Sequence, residues 1–295
     1  MGFTRKPVMR EIGKYILHEW DSFGQFSLES QELLAKPFMK NASAYTNGSS
    51  FAGASMEDAI RMSEMGDAKG ARYITEIAEQ LMTHESFAGA RLDYTYDTSG
   101  HILDLGRYVA GEPDHWATPE DLIADGLQSK LVRISFEICA SAANTPKMLQ
   151  ARGATVAALA MILERLGFRT QIDIVCSVFS LGSHNSAWGK SNDLVFKFRV
   201  KELDNIFDVE RLAFSMAHPA MFRRLMFGWM AWYSGKESRQ FDGGLGRVAN
   251  TPKEFRGDLH INGDEAYFDT SDARVQWIQS VIDKVQRPAS IEHFV

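Results

Sequence analysis

One segment of this chain whose residue types and spacing suit chemistry is FEICASAANTPKM, residues 136–148. Glu137 and Ser141 offer oxygen donors, and Asn144 or Thr145 can cap the helix that follows, so this turn is the first candidate ligand site. The bland alternative is that the same side chains satisfy a strand end and a helix start, the ordinary work of such residues. A second candidate is His218-Pro219 followed by Arg223 and Arg224. Two adjacent arginines near a histidine suit a phosphate, a carboxylate or a nucleic-acid backbone. The alternative there is that Pro219 breaks a helix, His218 meets its last carbonyls, and the arginines pair with acids or face solvent. Arg152 and Gly153 form a third feature: a glycine inside a helix costs about 1 kcal/mol relative to alanine, so close contact with another backbone is expected, with Arg152 reaching a carboxylate on another element. Trp229, Trp232 and Tyr233, with Met226 and Met230, make a stripe that is either core or a face for a partner or stacked bases.

Several catalytic signatures are missing from the sequence: there is no His-Glu-x-x-His, no Gly-x-Ser-x-Gly and no Walker-type phosphate loop. Gly243-Gly244-Leu245-Gly246 lacks the spacing of a dinucleotide-binding turn and reads as a flexible turn. The two cysteines, Cys139 and Cys176, lie in apolar runs and read as small buried hydrophobes in a reducing compartment. The net charge of −6 argues against a polycation that coats nucleic acid, although local basic clusters remain open. No secretory signal and no spanning helix are expected, because no apolar run is long enough and uncharged, so the chain reads as cytoplasmic.

These residues must be positioned by surrounding elements. Residues 131–179 read as strand, small polar turn, amphipathic helix, strand, the βαβ unit of a parallel sheet. Met148, Val156, Leu159, Ile162, Leu163 and Leu166 mark the helix face and Gly167 its end. Residues 193–203 alternate as an antiparallel neighbour, 207–219 and 220–235 read as helices, and 258–263 as a short strand. Ser271 caps a last helix, and 289–295 can form a final strand. Upstream, 11–20 and 31–38 read as short helices and 41–55 as a loop. Ser55 caps a helix stopped by Gly66, and a second helix, 68–85, should pack antiparallel to it. Residues 91–117 alternate with period two around a hairpin turn at Ser99-Gly100, and Thr118-Pro119 opens a short helix. The expected organisation is an N-terminal arm (1–50), a helical and hairpin extension (51–128) and an α/β domain (129–295).

The order of elements over residues 129–295 resembles a von Willebrand factor A-type domain, a doubly wound, mostly parallel, three-layer α/β fold. That resemblance implies a ligand site at the carboxyl edge of the first strand. The family's metal motif, Asp-x-Ser-x-Ser, is matched by Glu137, Cys139 and Ser141, with a later aspartate near Asn262 or Asp264. A longer carboxylate and a soft thiol imply that the metal site is lost or remodelled, with a divalent cation as the alternative and no other cofactor. Four segments, 50–66, 104–113, 151–172 and 211–227, are more closely similar to an uncharacterised protein family of tailed phages and plasmids, which implies a phage or mobile-element origin in an infected host cell.

The functional expectation is a non-enzymatic protein-interaction or self-assembly module that binds a protein partner or itself as a homo-oligomer, with no membrane role. The alternative is a phage single-stranded nucleic-acid-binding or transcription/replication accessory factor using Arg223, Arg224, Lys197 and Arg199.

Overall fold

The computed structural model describes residues 8–12, 15–82, 94–99, 102–103, 105–119, 131–179, 193–205, 207–237, 249–268 and 270–286. The strands in chain order are β1 (Val8–Ile12), β2 (Tyr15–Trp20), β3 (Tyr94–Asp97), β4 (Ile102–Leu103), β5 (Trp116–Pro119), β6 (Leu131–Glu137), β7 (Arg169–Val178), β8 (Asp193–Lys201) and β9 (Leu259–Ile261). The helices of ten or more residues are α1 (Phe23–Leu34), α2 (Met56–Met65), α3 (Ala68–Met82), α4 (Pro146–Arg165), α5 (Phe227–Glu237) and α6 (Ser271–Gln286). Among the described residues no helix is long and apolar enough to cross a membrane.

A six-stranded mixed sheet in the order β1-β2-β8-β7-β6-β9 organises the fold. The pairs β2/β8, β7/β6 and β6/β9 are parallel, while β1/β2 and β8/β7 are antiparallel. The β6-α4-β7 crossover and the antiparallel return of β8 match the expectation from residues 131–203. The N-terminal residues do not: 11–20 carry strand, not helix. The reason is tertiary, because β2 gains a full parallel ladder with β8, Tyr15 opposite Asp193 through Trp20 opposite Phe198.

The period of two along each strand sorts side chains between the faces. Ile16, Trp20, Ile134, Phe136, Ile174, Phe196 and Phe198 join the buried apolar residues of the helices in one large core. Leu17, Val175 and Val195 point the other way and meet Phe255 in a small second cluster. A doubly wound sheet would carry helices on both faces. Here the buried apolar side chains of the described long helices all belong to the first core, so the outcome is a mixed α/β fold with a mostly parallel sheet.

Several local expectations hold. Ser55 Oγ accepts the Asp58 amide at the start of α2, and Gly66 ends it with φ 85°. Gly167 closes the turn after α4 with φ 82°. Others are corrected. α3 packs mainly on α4, not antiparallel on α2. β3 and β4 both pair with β5, so the strands flanking Ser99-Gly100 are not paired with each other. Thr118 and Pro119 lie in β5 and open no helix there. Thr270, not Ser271, caps α6, since its Oγ1 accepts the Ala273 amide at 3.2 Å. The 41–55 stretch carries two single-turn helices, Ser43–Thr46 and Ser49–Ala52. The expected strand at 289–295 lies outside the described residues.

Candidate functional site

Strands β6, β7 and β9 run in one direction, so their carboxyl ends and the N-terminus of α4 share one edge of the sheet. The turn at 139–145 stands there. Ser141 Oγ accepts the Ala143 amide at 3.2 Å, the Asn144 amide donates to Ser141 O, and Thr145 Oγ1 accepts the Met148 amide at the first turn of α4. Asn144 donates its side-chain amide to Tyr267 Oη at 3.0 Å. Capping is therefore what Thr145 does, and bracing the turn is what Asn144 does. Ser141, Ala142, Ala143 and Thr145 remain exposed above this frame.

Glu137 ends β6 on the opposite side of the strand from Phe136 and is 1% exposed. Its Oε1 accepts the Cys139 and Ser177 amides, and its Oε2 accepts the Ser177 amide and the Thr251 hydroxyl, the last at 2.6 Å. Burial pushes its carboxyl above the usual range, opposed by the Thr251 hydroxyl and the Cys139 and Ser177 donors. A carboxylate has about four acceptor positions, and three donors, the Cys139 and Ser177 amides and the Thr251 hydroxyl, already serve both oxygens here.

Cys139 and Cys176 place their sulfurs 2.9 Å apart and close to the Glu137 carboxylate, a buried Glu-Cys-Cys group. Burial raises both thiols, that of Cys139 strongly. Protonated thiols and a buried carboxylate whose two oxygens both already accept hydrogen bonds do not suit Mg²⁺, which takes oxygen ligands and keeps its waters. The guanidinium of Arg152 adds a positive charge at this strand end, which further disfavours a divalent cation. The residues at Glu137 and Ser141 therefore do not fit the cation considered from the motif.

Three arginines hold this edge together. Arg152, 2% exposed, donates from Nη2 to the carbonyls of Glu137 and Asn262 and from Nε to that of Glu265, and its guanidinium stacks 4.3 Å from the Phe136 ring centroid. It ties the ends of β6 and β9 to α4, and the expected carboxylate partner is replaced by carbonyls. Gly153 permits this closeness: a Cβ there would lie 2.0 Å from Met216 O. Arg223, 1% exposed, donates to the carbonyls of Phe51, Ser141 and Asn144 and lies over the Phe51 ring. Arg224, 2% exposed, turns to the carbonyls of Ala54 and Ala44. Burial lowers all three guanidinium pKa values.

His218 lies between two π-helical segments, Ala213–Ala217 and Met221–Met226, which Pro219 separates. Its Nδ1 accepts the Ala220 amide at 3.1 Å, so it serves the start of the second segment rather than the last carbonyls of the first. Burial lowers its pKa, with Asp67 and Asp58 opposing. His218 and Arg152 line a small cavity of about 20 Å³, room for one water. The structure thus brings Glu137, Ser141, Asn144, Thr145, Arg152 and Arg223 to one edge, with His218 behind them and Arg224 directed to the 44–54 loop.

The remaining basic and aromatic candidates are engaged elsewhere. Lys197 pairs with Glu19 at 3.3 Å and Asp173 at 3.5 Å, and Arg199 with Asp173 at 2.8 Å and Glu202 at 3.0 Å. Met226, Trp229, Met230 and Tyr233 are core, Trp232 is half-buried, and Trp229 donates to Ser30 Oγ. Sequence reasoning missed Thr251 and Ser177, which donate to Glu137, and Tyr267, which accepts from Asn144; all three lie far from their partners in the chain and carry no local motif.

These features define a mixed α/β protein whose sheet edge carries an exposed turn braced by buried arginines. The family described as Domain of unknown function (DUF7192) matches residues 6–292, and the chain belongs to that family. No curated protein and no solved structure matches the chain.

Proposed function

We propose that this protein is a non-enzymatic interaction module, and that the turn at 141–145 is the surface with which it holds a protein partner or a second copy of itself. One observation carries the reading: the turn is fixed from below by Arg223, Asn144 and Thr145 while its upper side chains are exposed. A rigid, exposed loop of small residues binds with little ordering cost. The sealing of Glu137 and both cysteines, which removes the obvious reactive groups from solvent, supports the non-enzymatic part. The strand order β8-β7-β6-β9, with β8 reversed, supports a von Willebrand A-like core to which β1 and β2 are added. Action in the cytoplasm of an infected cell is part of the proposal, as what the resemblance of four segments to a phage and plasmid family implies.

The nucleic-acid reading ranks second because Arg223 and Arg224 donate into the protein and Lys197 and Arg199 are ion-paired. The test is a photo-reactive amino acid placed at Ala142 of the full chain in its producing cell, with exposed Glu79 on α3 as control. The reading expects a discrete protein adduct at 142 and none at 79, with light scattering showing whether the adduct is a second copy. Identical behaviour at the two positions removes it.

A further inference from the structure

The sheet has a second carboxyl edge. β2 and β8 run parallel and end at Trp20 and Lys201, at the opposite end of the sheet from the turn at 141–145, because β7 and β6 run against β8. Asp21 and Glu202 directly follow those two strand ends. Glu19, Lys197, Arg199 and Asp173 stand beside them on the face of Leu17, Val175 and Val195, with Glu19 opposite Lys197 and Asp173 opposite Arg199. Together with Trp20 these residues line a cavity of about 250 Å³. Drug-sized ligands occupy roughly 300–1,000 Å³, so this cavity suits a single small metabolite. Ligands of open α/β sheets collect at such strand ends.

The charges lining the cavity are not all used. Lys197 sits between Glu19 at 3.3 Å and Asp173 at 3.5 Å, while Arg199 donates from Nε to Asp173 and from Nη1 to Glu202. Among the described residues Arg199 Nη2 makes no hydrogen bond, although the side chain is 31% exposed. The Asp21 carboxylate makes none either, since Asp21 bonds only through its backbone amide, to Gln25 Oε1. A free donor and a free acceptor thus line a cavity in which four carboxylates outnumber two bases. That combination selects a ligand of both signs with a positive excess. A simple anion would meet the four carboxylates, and a simple amine would leave the guanidinium donor unused.

We infer that this cavity binds a basic α-amino acid, whose carboxylate takes the free Nη2 donor of Arg199 while its ammonium and side-chain cation meet Asp21 and Glu19. Guanidinium–carboxylate and ammonium–carboxylate contacts of this kind are charge-assisted and strong. The site is separate from the turn at 141–145 and stands or falls independently of the binding module.

The test is calorimetric titration of the full chain with L-lysine and L-arginine at ionic strength matched by chloride. The expected result is saturable binding of at least one of them. Its decarboxylated amine, cadaverine or agmatine, should bind at least about tenfold more weakly, as the loss of a hydrogen bond between charged groups requires. Its analogue with a neutral side chain, norleucine or citrulline, should weaken to a similar degree. Asp21→Asn should weaken binding at least about threefold, a modest factor because Asp21 is exposed, whereas Glu79→Gln, the same charge change on α3, should leave it unaltered. Urea unfolding of each variant without ligand confirms that it is folded before titration. No saturable binding of either amino acid overturns the inference, as does an amine or neutral analogue that binds as tightly. Equal effects of Asp21→Asn and Glu79→Gln overturn it as well.

Discussion

Arg223 is the residue on which the edge depends. Replacing it with methionine fills similar space but strands the Phe51 and Asn144 carbonyls, so urea unfolding should show a loss of about 3 kcal/mol. Arg223→Lys should recover little, since an ammonium has no planar fork to span the 51 and 144 carbonyls together. His18 supplies the pH dependence. It is buried among Trp20, Phe196, Trp229 and Tyr233, and burial lowers its pKa from 6.5 to about 4. His260 is lowered to about 4 as well, by burial first and then by Arg256. A histidine with a depressed folded pKa binds fewer protons folded than unfolded, so stability is present above the unfolded value and falls as pH drops from about 6.5 towards 4. For His18 the loss approaches about 3 kcal/mol at the acid end. Glu137, raised by burial, acts with the opposite sign: its contribution is present below the ordinary carboxylate pKa and lost as pH rises through the folded value. His18→Phe isolates the histidine part, and its unfolding free energy should fall less than the native chain's between pH 6.5 and 4. Of these residues, the sequence pointed to Arg223 as a ligand-gripping group and missed its inward role, because a guanidinium that bonds carbonyls far away in the chain has no local signature. Thr145 was legible, since a threonine before Pro146 at a helix start has a known task.

At the scale of elements, α4 is set by its contact with the π-helical segment at Ala213–Ala217. Gly153→Ala puts a methyl against Met216 O and the Ala217 backbone, and thermal or urea unfolding should show a loss of about 1–3 kcal/mol despite alanine's better helix propensity. Ala158→Gly, also in α4 and buried, should cost only about 1 kcal/mol by propensity and so separates the two effects. The glycine's purpose was readable from the sequence because an interior glycine in a helix needs a reason. The β6-α4-β7 unit was readable too, from the switch between periods of two and three to four. By contrast, YILHEW alternates only weakly, and its strand state comes from pairing with β8, which lies more than 170 residues away. The flanking β1 pairs only with β2, next to it in the chain, and so follows from the state of β2; Pro119 was misread because a threonine-proline pair serves the end of β5 as well as the start of a helix.

For the whole molecule, the sheet draws one edge strand, β1, from the N-terminal part of the chain and the other, β9, from its C-terminal part, with one large core on one face and a small second cluster on the other. That arrangement leaves the carboxyl edge of β6 as a place where separate segments converge: residues 51, 137, 141, 144, 251, 262 and 265 all bond within it. The α/β class was legible from the order of elements, while the arginine frame of this edge required the assembled fold. The most direct test of the account is photo-cross-linking from position 142 in the full chain within its producing cell. A discrete adduct with one protein species, absent from position 79 and abolished by Ala143→Glu, is the predicted result. Equal labelling from 142 and 79, or an adduct at 142 indifferent to Ala143→Glu, would contradict a binding role for the turn.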